Sequence, residues 1–312
     1  MKNKRVVITG GAGFIGSNLA EELAKDNEVV LLDDLSTGRP ENIENLIKRS
    51  NVQFIQGTIT DLALLQKTFK EVDFVFHQAA IASVSKSMAD PAASNEVNAN
   101  GTLNVLIAAR DNHVKKVVYA SSCAVYGDSP VLPKREDMLP EPMSPYAVTK
   151  MAGEYYCQVF RQVYGLQAVC LKYFNVYGPR QDPHSDYAAV IPRFIVRSLQ
   201  GQPLTIFGDG EQTRDFVFIK DVVRANIVVA DDKVQGIYNV GSGQNISVNM
   251  LADTIKAITG ANLEIVHLEP RSGDIRHSLA DISKAIAIGF KPKYNLRASL
   301  TETIRWFSKA NR

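Results

Sequence analysis

The chain has no uninterrupted apolar stretch approaching 18 residues, so the sequence offers no membrane-spanning helix. Met1 to Arg5 run directly into a Gly-rich turn, and no signal peptide is expected. Cysteine is scarce. Cys123, Cys157 and Cys170 are an odd number without Cys-x-x-Cys spacing, which argues against a disulfide framework and a thiolate zinc site and suits a reducing compartment. The cytoplasm is therefore the expected location, and the thiols read as small buried hydrophobes. An excess of one charge is also missing. Lys and Arg number 35 against 33 Asp and Glu, a net +2, and no basic stripe alternates with aromatics, which speaks against nucleic acid as a partner. His267 and His277, ten apart, have no acidic or thiol companion at ligand spacing, so no metal is expected. At 312 residues, 45% of them hydrophobic, there is ample material for a large folded unit and a smaller one.

What the chain does contain begins with the β-branched run Val6-Val7-Ile8, followed by Thr9-Gly10-Gly11-Ala12-Gly13-Phe14-Ile15-Gly16 and a helical pattern from Ser17 to Ala24. Strand, glycine turn and helix in that order make a pyrophosphate cradle, with the helix N-terminus favouring the anion. A second strand, Val29 to Leu32, ends in Asp33-Asp34, where a carboxylate can accept hydrogen bonds from an adenosine ribose and would repel a 2′-phosphate. The pattern favours NAD over NADP. Strands and helices continue to alternate: Val52 to Ile55, Leu62 to Phe69, Phe74 to His77, a helix from about Ala92 to Asn112, and Val117 to Tyr119. This is an α/β, Rossmann-like doubly wound parallel sheet, in which ligands bind at the carboxyl ends of the strands. Gly10, Asp33, Ala79-Ala80 and Ser121-Ser122 all fall there. His77 reads as structural, while Asn98, an amide inside a helix, is suited to serving a neighbouring loop.

Ser144-Pro145 is an N-cap and first-position pair, so a helix should run from there to about Tyr164. Tyr146 and Lys150 then share one face of it. An ammonium beside the phenol should favour the phenolate and bring it toward working pH, although Tyr-x-x-x-Lys taken alone is most simply a helix-surface pair. Beyond Gly178 a loop, a helix opening at Ala189 to Pro192 and a strand at Leu204 to Phe207 follow. The segment Phe216 to Ile219, a helix Lys220 to Ala230 and a strand Ile237 to Asn239 read as a return to the first unit. The units are thus 1–177, rejoined at about 216–240, and 178–215 with 241–312. Helices near Ser247 to Ile258, Ser283 to Ile288 and Ser299 to Ser308 belong to the second.

Gly10-x-x-Gly13-x-x-Gly16, Asp33, Ser121-Ser122, Tyr146-x-x-x-Lys150 and Asn175 in Tyr173-Phe174-Asn175-Val176-Tyr177-Gly178-Pro179 together resemble the extended short-chain dehydrogenase/reductases that act on nucleotide sugars. The resemblance covers nearly the whole chain. It implies Ser122, Tyr146 and Lys150 as the catalytic set. It implies NAD held by Gly10, Gly13, Phe14, Ile15 and Gly16, by Asp33, Asp34, Ser36, Thr37 and Gly38, and by Thr58, Ile59, Gln78, Ala79, Ala80, Asn98 and Tyr173, with Tyr146 and Lys150 at the reacting end. For the sugar nucleotide it implies Ser83, Ser122, Cys123, Ala124, Asn175, Ala189, Val190 and Phe207, with Arg214 and Arg271 clamping the diphosphate and Asp274 and Ser278 beside them. Many relatives carry an acid where this chain has Thr58, so adenine contacts at Thr58 and Asp61 are left open. The resemblance also implies a homodimer through the helices near 92–112 and 145–164.

Members of this group epimerise, dehydrate, decarboxylate or reduce sugars, so fold alone does not choose the reaction. Its dehydratases carry an Asp-Glu pair just after the serine or threonine, and its decarboxylases tend to carry a Glu there; here those positions are Cys123-Ala124. What remains is the set a 4-epimerase needs. By the resemblance, the Tyr146 phenolate takes the 4-hydroxyl proton as carbon 4 is oxidised, Ser122 orients that oxygen, and the 4-keto sugar turns over before reduction on its other face. The segment from Gly273 to Lys284, and Arg180 to Pro183 followed by Tyr187 to Pro192, resemble UDP-N-acetylglucosamine 4-epimerases. Ser278 stands where hexose-restricted relatives carry a bulky tyrosine, which leaves room for an N-acetyl group. The expected reaction is UDP-GlcNAc/UDP-GalNAc interconversion, with UDP-Glc/UDP-Gal open as a second pair. The alternatives are a UDP-glucose 4-epimerase without preference for acetylated sugars, a UDP-uronate epimerase, and, outside enzymes, an NAD or nucleotide-sugar sensor.

Overall fold

The computed structural model describes residues 1–183, 189–270 and 275–310. The glycine turn joins β1 (Arg5–Thr9) to α1 (Phe14–Leu23), and β2 (Glu28–Asp33), β3 (Val52–Gln56), α2 (Leu62–Thr68) and β4 (Phe74–His77) follow. After α3 (Val84–Ala89), α4 (Pro91–Asn95) and α5 (Gly101–Asp111) come β5 (Lys116–Ser122), α6 (Pro145–Tyr164) and β6 (Gln167–Tyr173). The rest comprises β7 (Asn175–Tyr177), α7 (Val190–Leu199), β8 (Leu204–Phe207), β9 (Thr213–Arg214), β10 (Phe216–Phe218), α8 (Ile219–Val229), β11 (Gly236–Val240), β12 (Ile246–Ser247), α9 (Val248–Thr259), β13 (Ile265–Leu268), α10 (Ser283–Ala287) and α11 (Leu296–Ala310).

Seven strands form one parallel sheet in the order β11-β6-β5-β4-β1-β2-β3. Its apolar runs are continuous because helices cover both faces. Along β1, Val6 and Ile8 enter one core with Leu19 and Ala20 of α1 and Val222 of α8, while Val7 enters the other with Leu65 of α2, Leu106 of α5 and Phe160 of α6. The period of two thus divides each strand between two cores. The strand order reverses between β1 and β4, which opens the ligand crevice between the Gly10 turn and Gln78-Ala79.

Three local features differ from the sequence reading. Helix α1 starts at Phe14 rather than Ser17, because the glycine turn itself supplies its first turn. The single helix expected from Ala92 to Asn112 is α4 and α5 joined by a π-turn at Glu96–Asn100. The third is β10, which pairs with β7 in a separate two-stranded ribbon; the chain rejoins the main sheet through α8, packed on α1, and β11, paired with β6. Elsewhere β8 pairs with β13, and α7 and α11 pack against α9.

Candidate active site

Parallel pairing of β5 with β6 carries Ser122 to the end of the sheet, where it N-caps a 3-10 turn, Cys123–Tyr126, and accepts the Ala124 N–H at 3.1 Å. Helix α6 arrives from the other side. Its Ser144 cap accepts the Ala147 N–H at 3.2 Å, and the Tyr146 N–H donates to Ser87 Oγ of α3 at 3.0 Å. These contacts fix the first turn, so that Tyr146 meets Ser122 and Lys150 lies one turn below. The Lys150 side chain is buried, its Nζ donating to the Ala120 carbonyl at 2.9 Å and lying 5.9 Å from the Tyr146 ring centre.

The electrostatics correct one expectation. Burial pushes the Tyr146 phenol up to about 12, opposed by the Ser122 hydroxyl, and lowers Lys150 to about 8. Desolvation disfavours both charged forms, and the ammonium is drawn toward Ala120 rather than the phenol oxygen. Beside them, burial raises Cys123 to about 12, which keeps it a neutral thiol at physiological pH, and Ala124 carries no proton donor.

The glycine turn fits a dinucleotide. Gly10 has φ +69°, and a Cβ there would lie 2.8 Å from the Ala79 nitrogen. Helix α1 has no side-chain cap and no acid in its first turn, so the amides around Gly13, Phe14, Ile15 and Gly16 face a site suited to phosphate. Asp33 is buried beside the turn, accepting N–H donation from Ala12 at 2.9 Å and Leu35 at 2.8 Å; burial raises its pKa. Gly38 is buried nearby, and Asp34, Ser36 and Thr37 are exposed, with Asp34 accepting both the backbone N–H and the hydroxyl of Ser36. Tyr173 donates to Gln78 Oε1 at 3.2 Å and is held by Asn226 at 2.8 Å. Asn98 sits in the π-turn, where Oδ1 accepts the Ile81 N–H at 2.8 Å and Nδ2 donates to Thr149 Oγ1 at 3.1 Å. It ties the strand end after Ala79-Ala80 to α6. Thr58 contacts Thr60, Ile59 is buried under α5, and Asp61 caps α2. His77 is fully structural, bonded to Thr9 and Thr102 at 2.7 and 2.9 Å and pushed down to about 3 by burial.

A separate cleft of about 530 Å³ has Asn175, Ala189, Val190, Phe207 and Arg214 in its wall. The Ser83 hydroxyl caps α3, and its neighbours Val84 and Ser85 line the cleft. Ser278, 8% exposed, donates its N–H to the Thr213 carbonyl at 3.1 Å, beside Arg214. Arg271 and Asp274 lie outside the described residues, as does His184 to Ala188. Sequence reasoning missed Arg193 and Gln212, both in the cleft wall. Arg193 lies over the Phe207 ring, and Gln212 is buried with Oε1 lacking a partner among the described residues. Gln212 stands two residues before Arg214, but a lone glutamine in a turn carries no signal until the fold turns it inward. Among the described residues no group of three or more His, Cys, Asp or Glu can hold a metal, and no helix is long and apolar enough to cross a membrane.

Residues 6–241 match the family described as "NAD dependent epimerase/dehydratase family". A UDP-N-acetylglucosamine 4-epimerase from Methanobrevibacter ruminantium, solved with UDP-N-acetylmuramic acid, is 44% identical, with a TM-score of 0.97 over 99% of this chain and 100% of that one. The UDP-glucose 4-epimerase of Mycolicibacterium smegmatis is 41% identical over 97% of this chain and 98% of its own. A UDP-glucuronic acid 4-epimerase from Bacillus cereus, solved with UDP-glucuronic acid and NAD, is 33% identical, with a TM-score of 0.91 over 98% of this chain and 99% of that one.

Proposed function

This chain belongs to the NAD dependent epimerase/dehydratase family and is an NAD-dependent enzyme, and from that premise we propose that it inverts carbon 4 of a UDP-sugar, with UDP-GlcNAc and UDP-GalNAc as its pair. The observation that carries the reading is the meeting of Ser122, Tyr146 and Lys150 at the end of β5 next to Cys123 and Ala124, positions that supply no carboxylate for dehydration. NAD, when bound, would supply a two-electron acceptor and donor for carbon 4 and a positive charge that favours a phenolate over a phenol. The protein's part is proton handling and grip. With the phenol ionised by that positive charge, Tyr146 would accept the 4-hydroxyl proton and later return it, Ser122 would donate to the same oxygen, and Lys150 would add a cation one turn below. The nucleotide is assigned to the cleft that Asn175, Val190, Phe207 and Arg214 line, with the base against Phe207 and the diphosphate at Arg214. A firm hold there and a loose one on the hexose permit the keto sugar to present its other face.

Incubation with UDP-GlcNAc, UDP-Glc and UDP-glucuronate separately, with chromatographic resolution of the products, tests the substrate. Conversion of UDP-Glc alone would sink the acetylated pair. The small, buried Ser278 supports that pair, and Ser278→Tyr is expected to lower kcat/KM for UDP-GlcNAc roughly tenfold or more while sparing UDP-Glc. An equal loss on both sugars would remove the residue from substrate choice.

The reading also places two copies together through α6. Val148, Tyr155, Val159 and Val163 form an exposed apolar stripe at helical spacing, 45 to 66% accessible. Val159→Glu is expected to convert a dimer to a monomer in sedimentation, and a wild-type chain that sediments as a monomer removes this assignment. Three free thiols agree with a cytoplasmic location.

A further inference from the structure

A buried charge line runs behind the site. One turn beyond Lys150 on α6, Glu154 is 5% exposed; its Oε1 accepts the Ser121 hydroxyl, and its Oε2 lies 3.4 Å from Lys172 Nζ of β6. Lys172 is 2% exposed and lies 4.4 Å from the Tyr126 ring centre. Two cations and one anion are thus enclosed together, and the anion joins α6, which carries Tyr146 and Lys150, to β5, which ends in Ser122, and to β6 through Lys172. Ser121 precedes Ser122, and Glu154 follows Lys150 by four residues.

We propose that Glu154 is a positioning residue for the reaction: its carboxylate keeps Lys150 cationic in the dry interior and, through Ser121, fixes β5 against α6 so that Ser122 and Tyr146 stay in register. This rests on the epimerase reading given above. The other groups around Lys150 cannot supply that charge. On its own helix Tyr146 is a neutral phenol; from β5 come the Ala120 carbonyl and the Tyr119 ring, 5.2 Å away; from β4 comes His77, kept neutral by burial; from β6 comes Lys172, a like charge. Glu154 alone opposes the desolvation that draws Lys150 downward. Lys172 has a second part, since an unpartnered carboxylate at this depth would take up a proton.

The sign is definite. Removing a negative charge next to Lys150 lowers its pKa, so activity that needs the ammonium is lost at lower pH on the alkaline side. The paired variant Glu154→Gln/Lys172→Met takes out both partners and leaves no cation stranded by the change. Its alkaline limb of kcat/KM is expected to fall by about one pH unit, with values below that limb within about threefold of wild type. A folded variant with the wild-type alkaline limb overturns the proposal, because a purely structural ion pair would change stability without moving that limb. If the pair does not fold, Lys172→Met is read alone. It leaves the carboxylate without the partner that keeps it charged, so Lys150 loses its opposing charge and the limb should again fall, and a limb that stays or rises overturns the proposal. Each profile uses a UDP-sugar that the wild type converts. If the wild type converts none, the epimerase reading fails by itself, and the Lys150 Nζ titration, followed by NMR in ¹⁵N-lysine protein, still tests the charge coupling by the same shift.

Discussion

Tyr146→Phe is expected to lower kcat by about 10²- to 10⁴-fold while leaving bound NAD and the melting temperature unchanged. The ring remains, so the packing of α6 against β5 is kept, and the Tyr146 backbone bond to Ser87 does not involve the phenol. What is lost is the phenol oxygen that the proposed reaction uses to exchange a proton with the sugar hydroxyl. Lys150 cannot take over, since its Nζ is directed to the Ala120 carbonyl. Product formation by chromatography and NAD content by absorbance after gel filtration check the two halves of this expectation. A variant that loses NAD together with activity would give the phenol a binding role, and one that keeps full activity would remove it from the chemistry. An NAD or nucleotide-sugar sensor would retain its cellular effect in this variant.

Gly16→Val should cost the protein its dinucleotide and about 3 kcal/mol or more of stability. A Cβ at position 16 would overlap the Gly10 carbonyl oxygen, lying 2.8 Å from the Gly10 carbonyl carbon and 3.0 Å from the Gly11 Cα. All three are backbone atoms of the turn, so no flexible side chain can yield. The helix would have to move off the strand, taking its first-turn amides away from the phosphate site. Thermal melting with and without added NAD measures both effects, and a variant that melts like wild type and co-purifies with NAD would show that the close packing is dispensable.

Much of the fold was legible because its signals are local. The run Phe74–His77 matches β4, and the helix expected from Ser144-Pro145 is α6 as far as Tyr164. A cap, a first-position proline and a β-branched run act over a few residues, and those residues carry them whatever surrounds them. The π-turn at Asn98 could not be seen this way. It exists because the Asn98 amide finds Ile81 and Thr149, 17 and 51 residues away in the chain. The pairing of β10 with β7, instead of a place in the main sheet, is a long-range choice of the same kind.

The site divides along the same boundary. The sequence pointed to the glycine turn and Asp33 through their spacing and to Ser122, Tyr146 and Lys150 through the family resemblance, while their meeting at the end of β5 needs the folded chain. Tertiary structure decided how these groups are charged. Tyr146 stands near 12 and Lys150 near 8 because the sheet and α6 together remove water from both, and Glu154 matters because folding sets it between Lys150 and Lys172. A residue's identity and its helical neighbours are written along the chain. Its solvation, and the charge across from it, depend on which distant segments close over it, and only the folded chain specifies those.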